Sequence, residues 1–286
     1  MSHETTQIVT IESIDYHVSL GGPSEGPLIV LIHALMSNHH IWDPILPSLH
    51  SSGYRTLRYD HIGHNLTSSP KDRTKNVPGV FNFDHFIQHL DQIIDECTVD
   101  TSPPSAVIGC SIGGVLALRW RMMHPPEPNG KHKTKIICCA APGMTSLEPS
   151  KPKWRERIER WEAEGTVDGL AKETVARWYP PPLPADFDHE RALEIVQSCT
   201  LDGYKICVWA TMNYDYAEQC GQIMHGEDIM ILVGENDYNI GPPEVMQSVA
   251  RSIKDSTYVM MKDTGHIPPL HWPEKFARTV LHFLED

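Results

Sequence analysis

The sequence lacks a long apolar run and is poor in positive charge. No stretch reaches the roughly 18 consecutive apolar residues of a membrane helix, and the first residues carry neither the basic flank nor the apolar segment of a signal peptide. Against 37 Asp and Glu there are only 24 Lys and Arg, a formal net charge of -13. A surface of this sign repels nucleic acids and anionic lipids. We therefore expect a cytoplasmic protein with neither a nucleic-acid nor a membrane partner.

Disulfide and metal-binding motifs are also missing. The seven cysteines form an odd set without a Cys-x-x-Cys pair, and most lie in apolar runs where a thiol acts as a small hydrophobe. The 17 histidines are scattered and show no His-Glu-x-x-His spacing. These absences predict reduced thiols and no metal. The neighbouring His39 and His40 are expected to be solvated loop residues, with a metal pair as the alternative.

Apolar segments of strand length alternate with amphipathic segments of helical length. This alternation predicts an α/β fold with a mostly parallel eight-stranded sheet and helices on both faces. Gly21-Gly22-Pro23 ends the first two strands, which are close enough to form a hairpin. The predicted strands are 7–13, 15–20, 28–32, 56–59, 105–109, 135–140, 228–233 and 257–261, with helices at 112–124 and 273–284.

About 80 residues between the sixth and seventh predicted strands interrupt this alternation. Trp154, Ile158 and Trp161 form an apolar stripe at helical spacing among charged residues, and Gly165 is expected to end that helix. Further helices are predicted at 167–178, 191–199 and 204–212. The domain prediction is a discontinuous core of residues 1–146 and 227–286 with a helical cap, or lid, over residues 147–226.

The pentapeptide Gly109-Cys110-Ser111-Ile112-Gly113 stands between a predicted buried strand and a predicted helix. This is the Gly-x-Ser-x-Gly nucleophile elbow in its expected context, where the glycines avoid backbone clashes and the serine hydroxyl is exposed above the sheet. The start of the following helix makes the Ile112 amide a candidate oxyanion-hole donor. A chance match in a strand-to-helix turn is the alternative. Cys110 is expected to pack beside the strand and not to be the nucleophile.

A serine hydroxyl needs a base to take its proton and an acid to orient that base. Later strand ends supply both, with Asp237 after the strand at 228–233 and His266 after the strand at 257–261. The order Ser111, Asp237, His266 is the order that this architecture uses. Glu235, Asp228 and Asp263 compete with Asp237 for the acid's role.

The loop after the first central strand, residues 33–38, should supply a second oxyanion donor. The amide of Leu35 is the candidate, and His33 is expected to brace the loop through hydrogen bonds. Asp60 and His64, at the end of the next strand, are interpreted as residues that stabilise a turn.

With these motifs the chain resembles an α/β-hydrolase over nearly its full length and is most similar to the 3-oxoadipate enol-lactone hydrolase branch. The motifs that carry this resemblance are Ile41-Trp42-Asp43-Pro44, Arg58-Tyr59-Asp60-His61-Ile62-Gly63-His64, Gly109-Cys110-Ser111-Ile112-Gly113-Gly114, Trp154-Arg155-Glu156-Arg157, Arg177-Trp178-Tyr179 and Gly234-Glu235-Asn236-Asp237.

Three departures from that resemblance stand out. Ala34 and Asn65 occupy positions where glycine is usual, and the chain carries extra loop residues between Pro125 and Lys133. Asn tolerates a positive φ, so the turn at Asn65 can survive the exchange. Ala34 is expected to reshape the oxyanion loop slightly.

The sequence thus predicts a cofactor-independent serine hydrolase that cleaves an ester or lactone of a small-molecule substrate through an acyl-enzyme. Trp154, Trp161 and Trp178 would roof a pocket suited to a cyclic or unsaturated compound, with simple packing of the cap on the core as the alternative. The resemblance implies a substrate carboxylate, for which Arg155, Arg157 or Arg177 is a candidate partner.

Two other functions stay open from the sequence. The same triad can support hydrolysis of a C–C bond in a diketone-like compound, or acyl transfer or cyclisation in secondary metabolism. A non-catalytic small-molecule receptor is the third hypothesis, although a receptor has no need of Ser111, Asp237 and His266 together.

Overall fold

The computed structural model describes residues 4–98, 102–126, 133–146 and 148–285. In these ranges eight strands form one sheet. The strands are β1 Thr5–Ile11, β2 Ile14–Gly21, β3 Leu28–Ile32, β4 Arg55–Tyr59, β5 Ala106–Cys110, β6 Lys135–Cys139, β7 Ile229–Gly234 and β8 Thr257–Met261. Their order in the sheet is β1-β2-β4-β3-β5-β6-β7-β8.

The sheet is parallel except at one edge, where β2 pairs antiparallel with both β1 and β4. The central strands β5 and β7 are buried along their whole length, which is why their sequences are nearly continuous aliphatic runs. Helices cover both faces of the sheet. The predicted mostly parallel α/β architecture is therefore confirmed.

Two strands end earlier than the sequence analysis placed them. Glu12 and Ser13 have φ values of 49° and 66°, so they form the hairpin turn and β1 ends before them. Ala140 has a φ of 50°, and β6 accordingly ends at Cys139. In both cases the strand ends before a residue with a positive φ, a conformation that Glu, Ser and Ala do not indicate from the sequence.

The helices that flank the sheet come from both halves of the chain. They are α1 Leu46–Ser51, α2 Phe83–Cys97, α3 Ile112–Met123, α9 Pro243–Ser252, α10 Pro268–His271 and α11 Pro273–Glu285. Helix α3 packs on β5 and β6, and α9 packs on β7 and β8. The predicted helices after the nucleophile elbow and at the C-terminal end are confirmed, whereas α2 and α9 were not assigned from the sequence.

Between β6 and β7 lie α4 Lys151–Glu164, α5 Asp168–Trp178, α6 His189–Gln197, α7 Leu201–Thr211 and α8 Ala217–Gly221. Gly165 ends α4 with a left-handed φ of 68°, as its glycine suggested. Asp188 and Thr200 cap α6 and α7 through side-chain hydrogen bonds to the backbone, so both helices begin earlier than predicted. We call α4 to α8 the helical insertion. The domain boundaries that separate residues 147–226 from the core remain a prediction, and Leu147 lies outside the described residues.

All seven cysteines are buried free thiols. Most of the Pro125 to Lys133 loop, residues 127–132, lies outside the described residues. Within the described ranges, none of the helices has both the length and the apolar character needed to span a bilayer.

Candidate active site

Ser111 occupies the sharp turn between β5 and α3. Its φ of 59° and ψ of -120° lie in a region that residues with a Cβ rarely adopt. A Cβ on Gly109 would lie 1.8 Å from the Gly113 carbonyl oxygen, and one on Gly113 would lie 2.2 Å from the Ile32 carbonyl oxygen. Only glycine fits at these two positions, so the elbow motif is required by the close approach of three backbone segments.

His266 and Asp237 meet at the ends of β8 and β7. His266 Nδ1 lies 2.7 Å from Asp237 Oδ2, and both side chains are almost completely buried. The carboxylate of Asp237 also accepts hydrogen bonds from the amides of Ile240 and Gly241, at 3.3 and 3.1 Å. An ionised carboxylate only accepts hydrogen bonds, so His266 donates from Nδ1, and in the neutral form of the ring the lone pair is on Nε2. Three donors hold Asp237 in the orientation that fixes this tautomer.

The loop that carries His266 is anchored to the helical insertion. The His266 amide donates to the Trp178 carbonyl oxygen at 2.9 Å, and a Cβ on Gly265 would lie only 2.2 Å from that same oxygen. Glycine before His266 therefore permits the contact between the loop and the end of α5. The position of His266 depends on both parts of the chain.

His266 Nε2 is buried and has no hydrogen-bond partner among the described residues. His266 and Ser111 line the same pocket, which contains about 390 Å³ of space not filled by atoms, part of it open to solvent. Buried polar atoms without a partner are rare in proteins and call for an explanation. A basic nitrogen kept free in a pocket that also holds a serine hydroxyl is able to take up a proton from a bound molecule or from that serine.

Both candidate oxyanion donors belong to this pocket. Leu35 and Ile112 are among its lining residues. Ile112 is the first residue of α3, so its N–H has no acceptor within the helix and is free for a ligand. The remaining lining residues are Met36, Pro142, Trp154, Arg157, Arg177, Trp178, Thr211 and Ile240.

Neutral histidines hold the loop that contains Leu35. His33 Nδ1 donates to the Ala34 carbonyl oxygen at 2.7 Å, while its Nε2 accepts from the amide of His61 at 2.8 Å. His64 Nε2 accepts from the amide of Met36 at 3.2 Å. The left-handed residue of the loop is Met36, with a φ of 60°, rather than Ala34. The bracing role predicted for His33 is thus seen in its hydrogen bonds.

Burial keeps these imidazoles uncharged. Desolvation lowers the pKa of His61 to about 3 and that of His64 to about 4. Burial, with His61 and His64 close by, also lowers the pKa of His33 well below its usual value. Near neutral pH all three rings are therefore neutral, and each can donate from one nitrogen while it accepts at the other.

Asp60 stabilises the turn that follows β4, as expected, and it also contacts the segment directly after residues 33–38. Its carboxylate accepts from the His39 amide at 2.8 Å, from His39 Nδ1 at 2.9 Å and from Asn65 Nδ2 at 2.9 Å. Asn65 has the positive φ, 48°, that its side chain tolerates. The expectation of a solvated His39 is wrong, because its ring turns inward to Asp60 and is 2% exposed. Its neighbour His40 is partly exposed and pairs with Asp43 at 2.7 Å.

Of the three tryptophans expected to roof the pocket, two line it. Trp154 on α4 and Trp178 at the end of α5 face the same space as Ser111. The ring of Trp178 also lies 5.9 Å from that of His266, centroid to centroid. Trp161 packs instead against Tyr204 of α7, with centroids 5.3 Å apart, and so joins the helices of the insertion to one another.

Two arginines of the insertion also reach the pocket. Arg157 donates to the hydroxyls of Tyr204 and Thr174, at 3.1 and 2.8 Å. Arg177 is mostly buried, and the Nε atom of its guanidinium has no hydrogen-bond partner in the described ranges. Burial, followed by repulsion from Arg157, lowers the pKa of Arg177 to about 10. Arg155, the third candidate, is exposed.

Sequence reasoning missed four lining residues. Two of them could have been inferred from the sequence: Met36 directly follows Leu35, and Ile240 lies in the same loop as Asp237. Pro142 and Thr211 had none, since only the packing of the insertion on the core brings them to Ser111. The competing acids lie elsewhere. Glu235 accepts from the amide of Asp263, and Asp228 lies 3.9 Å from Arg121.

Comparison with known proteins identifies the family of the chain. The model of the alpha/beta hydrolase family matches residues 29–279, and the chain belongs to that family. It is 23% identical over 273 residues to 3-oxoadipate enol-lactonase 1 of Acinetobacter baylyi, covering 94% of this chain and 92% of that protein.

Solved structures share the fold over nearly the whole chain. A hydrolase from Pseudomonas aeruginosa PA01 superposes with a TM-score of 0.81 at 21% identity, over 98% of each chain. The enol-lactonase from Burkholderia xenovorans LB400 superposes with a TM-score of 0.78 at 21% identity, over 98% of this chain and 100% of the other.

Proposed function

We propose that the protein is a cofactor-independent serine hydrolase that cleaves an ester or lactone bond in a small substrate. Ser111 is the nucleophile, His266 is the general base, and Asp237 orients His266. One observation carries the proposal: His266 is bound to Asp237 through Nδ1 at 2.7 Å, and its unpartnered Nε2 belongs to a residue that lines the same pocket as Ser111. Relatives named as an enol-lactonase and as esterases support ester and lactone bonds as the substrate class.

The proposed reaction has two halves. Ser111 Oγ attacks the substrate carbonyl carbon while its proton passes to His266 Nε2, and the amides of Leu35 and Ile112 stabilise the negative oxygen. The tetrahedral species collapses to an acyl-enzyme, and His266 returns the proton to the leaving alkoxide or enolate. Water then adds to the acyl carbon with His266 as base, and the carboxylic acid leaves as Ser111 regains its proton.

The pocket favours a substrate with an anionic group beside an apolar body. Arg157 and Arg177 bring two positive charges into it; the side-chain partners of Arg157 include two hydroxyls, and Nε of Arg177 has no hydrogen-bond partner among the described residues. Trp154 and Trp178 supply flat apolar surface. We infer that the substrate is a small carboxylate-bearing ester or unsaturated lactone, and that the helical insertion acts as the cap that closes over it.

A hydrolysis panel tests this proposal. Aryl esters, unsaturated lactones and vinylogous diketones, each with and without a carboxylate, are offered to the wild type and to Ser111→Ala, after circular dichroism has verified that both are folded. We expect the variant to lose roughly a thousandfold or more in kcat on esters or lactones. Loss on diketones alone would assign C–C bond hydrolysis instead. If both proteins are inactive on every compound, the third hypothesis, a non-catalytic small-molecule receptor, would be favoured.

A further inference from the structure

Three side chains of types that can bind a metal ion lie close together outside the pocket, at the edge of the parallel part of the sheet. His17 lies in β2, Asp60 follows β4, and His39 begins the short 3-10 helix His39–Ile45. His39 Nδ1 is 2.9 Å from Asp60 Oδ1, and His17 Nδ1 is 3.9 Å from Asp60 Oδ2. All three candidate ligand atoms lie within 4.8 Å of one another. None of these residues lines the pocket of Ser111.

One atom of this cluster has no structural explanation. His17 Nδ1 is buried and has no hydrogen-bond partner in the part of the chain that the structure describes. Such an orphaned atom points to a water or an ion that belongs at the site. The His17 side chain as a whole is 13% exposed, so the cluster has a route to solvent.

The spacing suits a small divalent ion. Zinc binds His nitrogen and carboxylate oxygen at about 2.0 to 2.2 Å in a tetrahedron, whose ligand atoms are then about 3.3 to 3.5 Å apart. The separations in the structure lie on either side of that value, with His39 Nδ1 2.9 Å from Asp60 Oδ1 and His17 Nδ1 3.9 Å from Asp60 Oδ2, the other oxygen of the same carboxylate. Three-ligand binding requires one oxygen of the Asp60 carboxylate to turn between the two rings, with a water molecule as the fourth ligand.

The surroundings also suit a cation. Asp60 is held by the His39 amide and by Asn65 Nδ2, as ligand carboxylates are usually held by further hydrogen bonds. The guanidinium of Arg58, which donates to the His39 carbonyl oxygen at 3.4 Å, is paired with Glu4 at 2.7 Å and with Asp43. The negative charge of Asp60 is therefore available to an incoming ion.

We propose that His17, His39 and Asp60 bind one divalent transition-metal ion of the zinc type. Binding requires the proton of His39 to move from Nδ1 to Nε2, because the ligating nitrogen must carry a free lone pair while the imidazole stays neutral. The ion ties β2 and the end of β4 to the segment directly after the oxyanion loop. It plays no part in the proposed hydrolysis, and the sequence missed it because the three ligands come from separate segments.

The test uses untagged protein freed of metal with a chelator. Co²⁺ replaces Zn²⁺ as the probe, because tetrahedral Co²⁺ absorbs visible light. Wild type is compared with His17→Ala and with the control His189→Ala, which removes an exposed histidine at the start of α6. We expect saturable binding of one equivalent by wild type and control, and affinity at least about tenfold lower in His17→Ala. Zn²⁺ should raise the thermal midpoint of wild type and of the control, but not that of His17→Ala.

Two results would overturn the proposal. One is the absence of saturable Co²⁺ binding to folded wild type, which would leave a water molecule as the partner of His17. The other is equal affinity in wild type and His17→Ala. Should His17→Ala fail to fold, His17→Gln keeps a polar side chain of similar size and serves in its place. Ester hydrolysis is not a readout here, so the result is independent of the function proposed for Ser111.

Discussion

His64 accepts the backbone N–H of Met36 at 3.2 Å, and Met36 is the left-handed residue that follows Leu35 directly. The His64 ring is fixed from its other side, because Nδ1 donates to the Ile62 carbonyl oxygen at 3.0 Å. A buried neutral imidazole therefore sets the direction of the peptide next to the proposed oxyanion donor. Met36 also lines the pocket, so the same hydrogen bond fixes part of its wall.

Removing this hydrogen bond should lower turnover more than substrate binding. His64→Phe leaves the Met36 amide without its acceptor and lets the Leu35 peptide rotate. Loss of a whole oxyanion donor costs about a hundredfold or more in kcat, so a misplaced donor should cost roughly tenfold with KM nearly unchanged. His64→Gln, which can still accept from Met36, should restore part of the rate. A rise in KM alone would show that His64 shapes the binding pocket only.

Asp237→Asn should reduce kcat by roughly a thousandfold or more while leaving the fold intact. The amide can donate a hydrogen bond to His266 Nδ1, which favours the tautomer that cannot take the serine proton. Asp263→Asn is the matched control, since it removes a carboxylate that follows β8 but does not contact His266. Steady-state kinetics on an aryl ester measure both variants. Equal rates for wild type and Asp237→Asn would remove Asp237 from the mechanism.

Arg177→Met should lower kcat/KM for anionic substrates and leave kcat/KM for neutral substrates nearly unchanged. A hydrogen bond to a charged group contributes about 1.5 to 3 kcal/mol, so kcat/KM for a carboxylate-bearing ester should fall roughly tenfold to a hundredfold. The matched neutral ester should change little. Arg155→Met, on the exposed side of α4, should leave both substrates unaffected. If the neutral and anionic esters lose the same factor, Arg177 has a structural role and does not recognise a carboxylate.

The buried histidines should make the protein less stable in mild acid. Their pKa values in the folded state lie below the unfolded value near 6.5, at about 3 for His61 and about 4 for His64. Their contribution is complete above pH 6.5 and is lost as the pH falls towards the folded pKa, because the unfolded chain takes up the protons. Each histidine removes about 1.4 kcal/mol per pH unit from the free energy of unfolding in this range.

Urea unfolding at pH values from 7 to 5 measures this dependence. The His64→Gln variant lacks one of the titrating groups and should show a shallower slope than the wild type, by about one proton. Identical slopes in the two proteins would contradict the burial of a neutral His64.

Much of the fold is encoded locally. The continuous aliphatic runs of β3, β5 and β7 and the glycines around Ser111 are constraints that act over a few residues, and the sequence predicted them correctly. Helix α2 also had a local signal that was not used. Its buried side chains recur at helical spacing after the capping residue Asn82.

The parts that escaped prediction depend on contacts between distant segments. Nothing around His39 shows that its ring turns inward to Asp60, 21 positions later. Likewise, the sequence of α5 does not reveal that Arg177 enters the pocket whereas Arg155 of α4 stays in solvent. The contact of His39 forms between two segments of the core, and the placement of Arg177 is decided when the helical insertion packs on the core. Periodicity along one element predicts neither.

The most direct test of the central claim is covalent labelling by an aryl phosphonate, followed by mass spectrometry of the intact protein and of its peptides. A nucleophilic serine activated by His266 should acquire one adduct, located on Ser111, at neutral pH. Ser111→Ala should acquire none, and His266→Ala should react far more slowly. An unmodified folded wild type, or an adduct on another residue such as Cys110, would contradict the proposal that Ser111 is the nucleophile.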